Sequence, residues 1–432
     1  MADAPTVPIP AVPFPAVTAA NFPSPVTRVS PNATQPTVPS LRAHRAPARA
    51  RRTTRPAQPG ISPWWHWVPL LVWAEVLQIV LYSNSGYSWH FLDDGVTLLF
   101  GGHPAGMIEP GGLHLYANYP QLQIGPLTLL VVAVLLPVTT TGGWMIAVWF
   151  MTLAGLAVLL LIERLAAATR RTDAGRSWTT TLTMLVGGGS FLLSWELLAV
   201  HFSHLDDVLT LVMLAATAGA VAYRSPTLAG LFLGLAADAK PWALACAAML
   251  LALPGRARWR ALAVAAIAIG VAWLPFVLGD PHTLHAASSF AIPNVPASAL
   301  RALGVDTPTT PSWDRLAQVG SGCLLGAIAV FRGRWQAVLA LGIGTRIALD
   351  PSTYTYYTAG LALGLLWWDL IAYPRRRLPL LSLVCLVAIT GAPMISHDAH
   401  LLGEFRLWSV LLVIGVLVVA PRKLPVIRHR GE

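Results

Sequence analysis

The chain has 432 residues, of which 55% are hydrophobic and only 11% charged, with a mean hydropathy of +0.61 and a formal net charge of +10. That share of apolar residue excludes a soluble domain and fits a chain that crosses a bilayer repeatedly. The positive charge falls in short clusters at the ends of apolar runs, as in the loops of membrane proteins, so no nucleic-acid partner is expected.

Residues 1–60 differ from the rest. Proline recurs from Pro5 to Pro59, and the segment ends in Arg42, Arg45, Arg49, Arg51, Arg52 and Arg55. Too few large apolar side chains are present to bury a core, which predicts a disordered cytoplasmic tail with local polyproline stretches. No apolar h-region with a cleavage site precedes the first span, so no cleaved signal peptide is expected. The remainder, 61–432, reads as one multi-span membrane domain.

Apolar runs recur from 63–83 to 406–420, and several fall short of the roughly 20 residues of a perpendicular span. The expected fold is all-α, a polytopic integral membrane protein with about 11–13 transmembrane helices and a long first outer loop. With the N-terminus inside and 121–164 crossing once in net terms, the basic clusters share the cytoplasmic side. They include Arg256 to Arg260, Arg332 with Arg334, and Arg422 to Arg430. Both termini are then cytoplasmic in a plasma-membrane protein, and 121–138 is re-entrant, interfacial or half of an irregular hairpin.

Between Ser83 and Pro120 lies the long loop SNSGYSWHFLDDGVTLLFGGHPAGMIEPGGLHLYANYP, which carries His90, the pair Asp93 and Asp94, and Tyr119. Loops of this length between spans are uncommon unless they have a function. A carboxylate facing a cavity here can take a proton from an attacking hydroxyl. Its neighbour would raise the pair's apparent pKa or orient it. If 87–100 is helical, the two side chains diverge by about 100°, so only one is the base. Asp93 is slightly favoured, because Asp94 beside Gly95 reads as a turn residue. His90 lies where it can brace either one.

Other polar residues fall on the same outer side. Lys240, one of two lysines, is flanked by LAGLFLGLAADA and PWALACAAMLLALP. An ammonium there costs about 2.5–3.5 kcal/mol at a span centre. It is either a snorkelling residue paired with Asp238 or a cation facing a cavity that holds an anion such as phosphate. His201, His204, Asp206 and Asp207 fit either a divalent-metal site or polar capping with Ser203 or Asp206 as N-cap. Trp242, Arg346 and Tyr357 complete the candidate cavity. Trp64, Trp65, Trp67 and the tyrosines around Tyr357 are interfacial anchors by default. Glu75 and Glu196 lie inside spans and are expected to hydrogen-bond neighbouring helices. The three cysteines, Cys246, Cys323 and Cys385, show no CxxC spacing and no expected disulfide.

The acid pair Asp93–Asp94, the loop end Tyr119–Pro120 and the run from Gly234 to Pro241 resemble the type C polytopic glycosyltransferases. The likeness is to the actinobacterial polyprenyl-phosphate-mannose and arabinofuranose transferases, over roughly 63–260. Gln121 stands where that family commonly has a second proline. The resemblance implies an aspartate base in the first outer loop and a lipid-phosphate sugar donor. The same donor follows from topology, since nucleotide sugars are cytosolic and this site faces outward. The expected activity is an inverting transfer of mannose or arabinofuranose from a polyprenyl-phosphate donor to a glycolipid or glycan acceptor. Lys240 and Arg346 would hold the donor phosphate, with Arg301, Arg315 or Arg406 as helpers. No cofactor is required, although the histidine–aspartate cluster leaves a divalent metal open. A transporter or flippase of an anionic lipid-linked substrate is the alternative; no internal repeat supports it.

Overall fold

The computed structural model describes residues 64–83, 85–86, 88–139, 143–169, 178–353, 356–372, 379–385 and 396–419. The Pro- and Arg-rich segment 1–60, the basic stretch 170–177 and the C-terminal basic stretch 420–432 lie outside the described residues. Within them the protein is all-α, and the β-structure is confined to one isolated bridge between Pro293 and Thr309. Five of the helices are long and apolar enough to cross a membrane, and further apolar helices are shorter. The protein is therefore a polytopic helical membrane protein, as its hydropathy predicts.

Helix α1 (Trp67–Tyr82) follows a single 3-10 turn and leads to α2 (Trp89–Leu99), which forms the first part of the long loop. A short α3 (Leu115–Asn118) precedes α4 (Pro126–Thr139). At 1.5 Å per residue, α4 is about 21 Å long, less than the hydrocarbon thickness of about 30 Å. It packs on the much longer α5 (Gly143–Thr169).

The next span is continuous in direction but irregular in winding. It consists of α6 (Trp178–Thr183), a π-helical turn Met184–Gly188, α7 (Gly189–Glu196) and a second π-turn Leu197–His201. Such wide turns shift the register of the side chains that follow and are frequent at functional sites. Ser203, at φ +54°, then reverses the chain into α8 (Leu205–Ala222). The N-cap of α8 is His204, and Ser203 instead donates to the Val200 carbonyl at 3.0 Å, so neither Ser203 nor Asp206 is the cap. Asp206 and Asp207 occupy the first turn, where the helix dipole favours negative charge.

Helix α9 (Pro226–Ala239) packs against α8 and stops at Lys240, which is fully extended (φ −155°, ψ 120°). A 12-residue 3-10 helix, Pro241–Ala252, continues the chain. The 226–253 region is thus a broken pair around Lys240. Proline after an extended residue explains the break, because it lacks the N–H and disfavours helix in the residue before it. Helix α10 (Gly255–Gly279) lies close along α9: a Cβ on Gly230 would fall 2.2 Å from the Ala261 carbonyl oxygen. Small residues permit that approach where no hydrophobic effect draws helices together.

The second long loop carries α11 (His282–Ser289) and α12 (Ala299–Ala302) before α13 (Asp314–Phe331). Helix α14 (Val338–Ala348) is buried along its whole length, and so is most of α15 (Tyr357–Trp367), with Trp367 and Trp368 among the largest enclosed side chains. The short α16 (Leu380–Cys385) and α17 (Ala399–Val419) end the described chain. All three cysteines are free.

Several polar groups inside the bundle are paired across helices, since an unsatisfied one is costly in hydrocarbon. Glu163 of α5 accepts the Trp67 indole N–H at 2.8 Å and lies 3.1 Å from His66 Nε2. Trp67 is buried by this contact and does not serve as an interfacial anchor. Glu196 accepts the Thr152 hydroxyl at 2.7 Å, as expected of a carboxylate inside a span.

Candidate functional site

The first turn of α8, the break at Lys240, and the C-terminal turn of α14 converge on one charge cluster. Lys240 Nζ lies 2.6 Å from Asp206 Oδ2 and 2.6 Å from Asp207 Oδ2. Asp207 Oδ1 accepts the Trp242 indole N–H at 2.9 Å and stands 3.5 Å from Arg346 Nη1. The Arg346 guanidinium carbon sits 3.8 Å from the Tyr357 ring centroid and 4.5 Å from that of Trp242. Two cations and two anions are therefore interleaved, and all four residues are buried or nearly so. Burying unpaired charge here would cost several kcal/mol per ion, which the pairing offsets.

Lys240 is thus held by Asp206 and Asp207. Its neighbour Asp238, the partner expected for a snorkelling lysine, is buried separately, and its Oδ1 has no hydrogen-bond partner among the described residues. A small cavity opens beside the cluster, lined by Asp207, Trp242, Arg346, Tyr356 and Tyr357.

A second layer adjoins the first. His204 Nδ1 lies 3.3 Å from Asp206 Oδ1, and His204 Nε2 lies 3.2 Å from the Ser88 hydroxyl. The imidazole packs against Tyr356, with ring centroids 4.2 Å apart and planes tilted by 37°. Backbone bonds from Gly86 to Val200 and from Ser88 to Phe202 tie the start of the long loop to this corner. At the other end of the loop, the Gly125 amide donates to the Ala239 carbonyl at 3.0 Å. A Cβ at Gly125 would lie 1.9 Å from the Asp238 carbonyl oxygen, so the position requires glycine.

Of the sequence-derived candidates, His204, Asp206, Asp207, Lys240, Trp242, Arg346 and Tyr357 come together. His201, in the second π-turn, reaches only the edge of the cluster through its ring contact with Phe202. Asp93 and Asp94 sit on α2. Asp93 is exposed and Asp94 half-buried, so their side chains diverge as the helical spacing predicts. Neither carboxylate has a hydrogen bond or ion pair among the described residues, and His90 packs against Phe91 and braces neither acid. Tyr119 is buried and donates to the Glu109 carbonyl at 2.7 Å, closing the loop on itself.

His204, Asp206 and Asp207 each present a ligand atom within 4.8 Å of the others, a set that fits a divalent ion. The Lys240 ammonium stands between the two carboxylates. Sequence reasoning missed Ser88 and treated Tyr356 as a surface anchor. Arg406 was legible as a helper, but its partner Asp350, at 3.1 Å, was not.

Outside the bundle, Asp280 just beyond α10 joins His114 of the first loop and His282 of α11, each at 3.0 Å. The His114 hydrogen bond, helped by the His282 amide, pulls the Asp280 carboxyl down to about 2.

No family model matches the chain, and comparisons with curated proteins and with solved structures find no match.

Proposed function

We propose that the protein is a membrane glycosyltransferase that moves a sugar, mannose or arabinofuranose, from a polyprenyl-phosphate donor to a glycolipid or glycan acceptor. The observation that carries this reading is the pairing of Lys240 and Arg346 beside a cavity walled by Trp242, Tyr356 and Tyr357. A compact ammonium and a planar guanidinium suit a phosphate, and flat aromatic faces suit a sugar ring. In the structure the two cations neutralise Asp206 and Asp207. The donor phosphate would exchange with a carboxylate for one of them, and the released aspartate would be free to meet sugar hydroxyls.

Asp93 or Asp94 would act as general base toward the acceptor hydroxyl, and direct displacement would invert the anomeric centre. Both lie on α2, whose start is anchored beside His204. This assignment agrees with the resemblance to the type C transferases and with an active site on the outer face of the plasma membrane.

The test is transfer from a radiolabelled polyprenyl-phosphate sugar in proteoliposomes. Lys240→Ala and Arg346→Ala are expected to abolish donor binding, Lys240→Arg to restore it in part, and Asn at the base position to stop transfer while donor binding persists. Wild-type turnover in both Asp93→Asn and Asp94→Asn would remove the base from this loop. One observation favours a second reading, a transporter or flippase: the helix break at Lys240, a device that places ionic groups at a transport site. Movement of a fluorescent lipid-phosphate sugar across the bilayer without change of its glycosidic bond would decide for it.

A further inference from the structure

Serine is among the best N-cap residues, because its hydroxyl accepts a backbone N–H of the helix it precedes. Ser88 holds that position at the start of α2, yet it makes no side-chain cap bond. Its Oγ lies instead 3.2 Å from His204 Nε2, and the other ring nitrogen, Nδ1, lies 3.3 Å from Asp206 Oδ1. A carboxylate only accepts hydrogen bonds, so a neutral His204 that donates through Nδ1 turns its Nε2 lone pair toward the serine hydroxyl.

The arrangement is built to hold that tautomer. Asp206 is fixed from two further sides, by the Asp207 amide at 2.9 Å on Oδ1 and by Lys240 on Oδ2. Tyr356 packs against the imidazole at a tilt of 37° and restricts its rotation. The backbone of Ser88 is itself pinned to the Phe202 carbonyl at 3.0 Å. Serine, histidine and aspartate come from α2's leading edge and the α7–α8 turn, so their alignment is a product of the fold and not of local sequence. Hydroxyl, imidazole and carboxylate in this order are the parts of an activated serine nucleophile, which is recognised by geometry and not by chain order.

We propose that Ser88, His204 and Asp206 form a nucleophilic relay in which Ser88 accepts an acyl group from the ester carbonyl of a membrane glycerolipid. Ser88 Oγ attacks the carbonyl carbon as its proton passes to His204 Nε2. The tetrahedral oxyanion forms next to the positive end of α2. Its collapse breaks the bond to the glycerol oxygen, which takes the proton from Nε2 and departs as an alcohol. The acyl-serine is released when water or an acceptor hydroxyl attacks it, with His204 taking that proton and returning it to Oγ. Asp206 is a positioning residue, holding the imidazole and offsetting its positive charge.

A lipid ester is the substrate that the location selects. Ser88 lies six residues beyond the end of apolar α1, close in sequence to Tyr82, which stacks on Trp144 with ring centroids 5.1 Å apart. Aromatic pairs of this kind mark the boundary between hydrocarbon and headgroups, where glycerolipid ester carbonyls lie. Ser88 itself keeps 7% of its surface exposed and the His204 side chain 18%, so the serine lies just beneath the surface that the imidazole reaches.

The full chain in detergent micelles is treated with a fluorophosphonate probe, and adducts are mapped by peptide mass spectrometry. One adduct on Ser88 is expected, forming at least about 100-fold more slowly in His204→Gln and about tenfold more slowly in Asp206→Asn. No adduct on the folded wild-type chain, an adduct only on another serine, or an unchanged rate in His204→Gln would overturn the relay. The modified residue is read directly in the wild-type chain, so the outcome does not depend on whether Ser88→Ala folds. Reconstitution into phosphatidylglycerol vesicles with deuterated acyl chains should then load a deuterated acyl group onto Ser88. Failure of untreated protein to load it, while a parallel sample is phosphonylated at Ser88, overturns the lipid ester as substrate. Neither readout involves sugar transfer, so this inference and the transferase reading stand or fall separately.

Discussion

The chain contains two Asp-Asp pairs in structural settings that differ in almost every respect. Asp93 and Asp94 lie in the middle of an 11-residue loop helix, one exposed and the other half-buried, with no ionic partner among the described residues. Asp206 and Asp207 lie in the first turn of a span and are almost completely enclosed, wired to Lys240, Arg346, Trp242 and His204. The same dipeptide is therefore solvated in one place and structural in the other. What differs is the company that distant segments bring. Carboxylates free of partners remain available for proton transfer, while paired ones hold a site together.

The contrast is sharpest if Lys240 is removed. Lys240→Ala leaves two buried carboxylates facing each other without the ammonium between them, with Arg346 and Trp242 still on Asp207 and His204 on Asp206, and a loss of about 3–5 kcal/mol is expected. Thermal unfolding in detergent measures it, and the triple variant Asp206→Asn, Asp207→Asn, Lys240→Ala should recover much of the loss. Next comes Asp207→Asn, which weakens the contacts to Lys240 and Arg346 but keeps an acceptor for the Trp242 indole. About 1–3 kcal/mol should be lost by the same measurement.

By comparison, Asp93→Asn and Asp94→Asn should each shift stability by no more than about 0.5 kcal/mol, as for surface positions without partners. A large fall in either would show that the first pair is as structural as the second. The smallest effect concerns Asp280. Its carboxyl titrates below its unfolded value, so its stabilising tie to His114 and His282 is fully present above pH 4 and fades as pH falls from 3.8 toward about 2. Asp280→Asn should slightly lower the unfolding temperature at pH 6, and the difference from wild type should vanish as the pH approaches 2.

Hydropathy alone made the helical membrane fold legible, because burial in lipid demands long apolar runs whatever their order. The isolation of Lys240 also pointed to the site, since a lone ammonium in an apolar setting needs a partner. Which partner was not legible: Asp238, two residues away, was the local candidate, whereas the pairing residues Asp207 and Asp206 lie 33 positions and one further upstream. Arg346 is joined to Asp207 across 139 positions, which no periodicity in the sequence encodes. Ser88 gave no signal at all, as a serine before a helix reads as an ordinary cap until its hydroxyl is seen to turn away. Tyr356 was hidden for a similar reason, since an aromatic residue near a span end has a sufficient explanation in the interface.

The glycine at position 125 bears on how the two acid pairs can act in concert. Its amide grips the carbonyl just before Lys240, and its missing side chain lets two backbones touch. The far end of the first loop and the broken helix therefore form a single mechanical part, with no room for a hinge between them. Any movement of the main chain at the helix break would therefore carry the root of the loop with it. The arrival of a ligand at one pair would thus be felt at the other as displacement, transmitted by main chain rather than by charge.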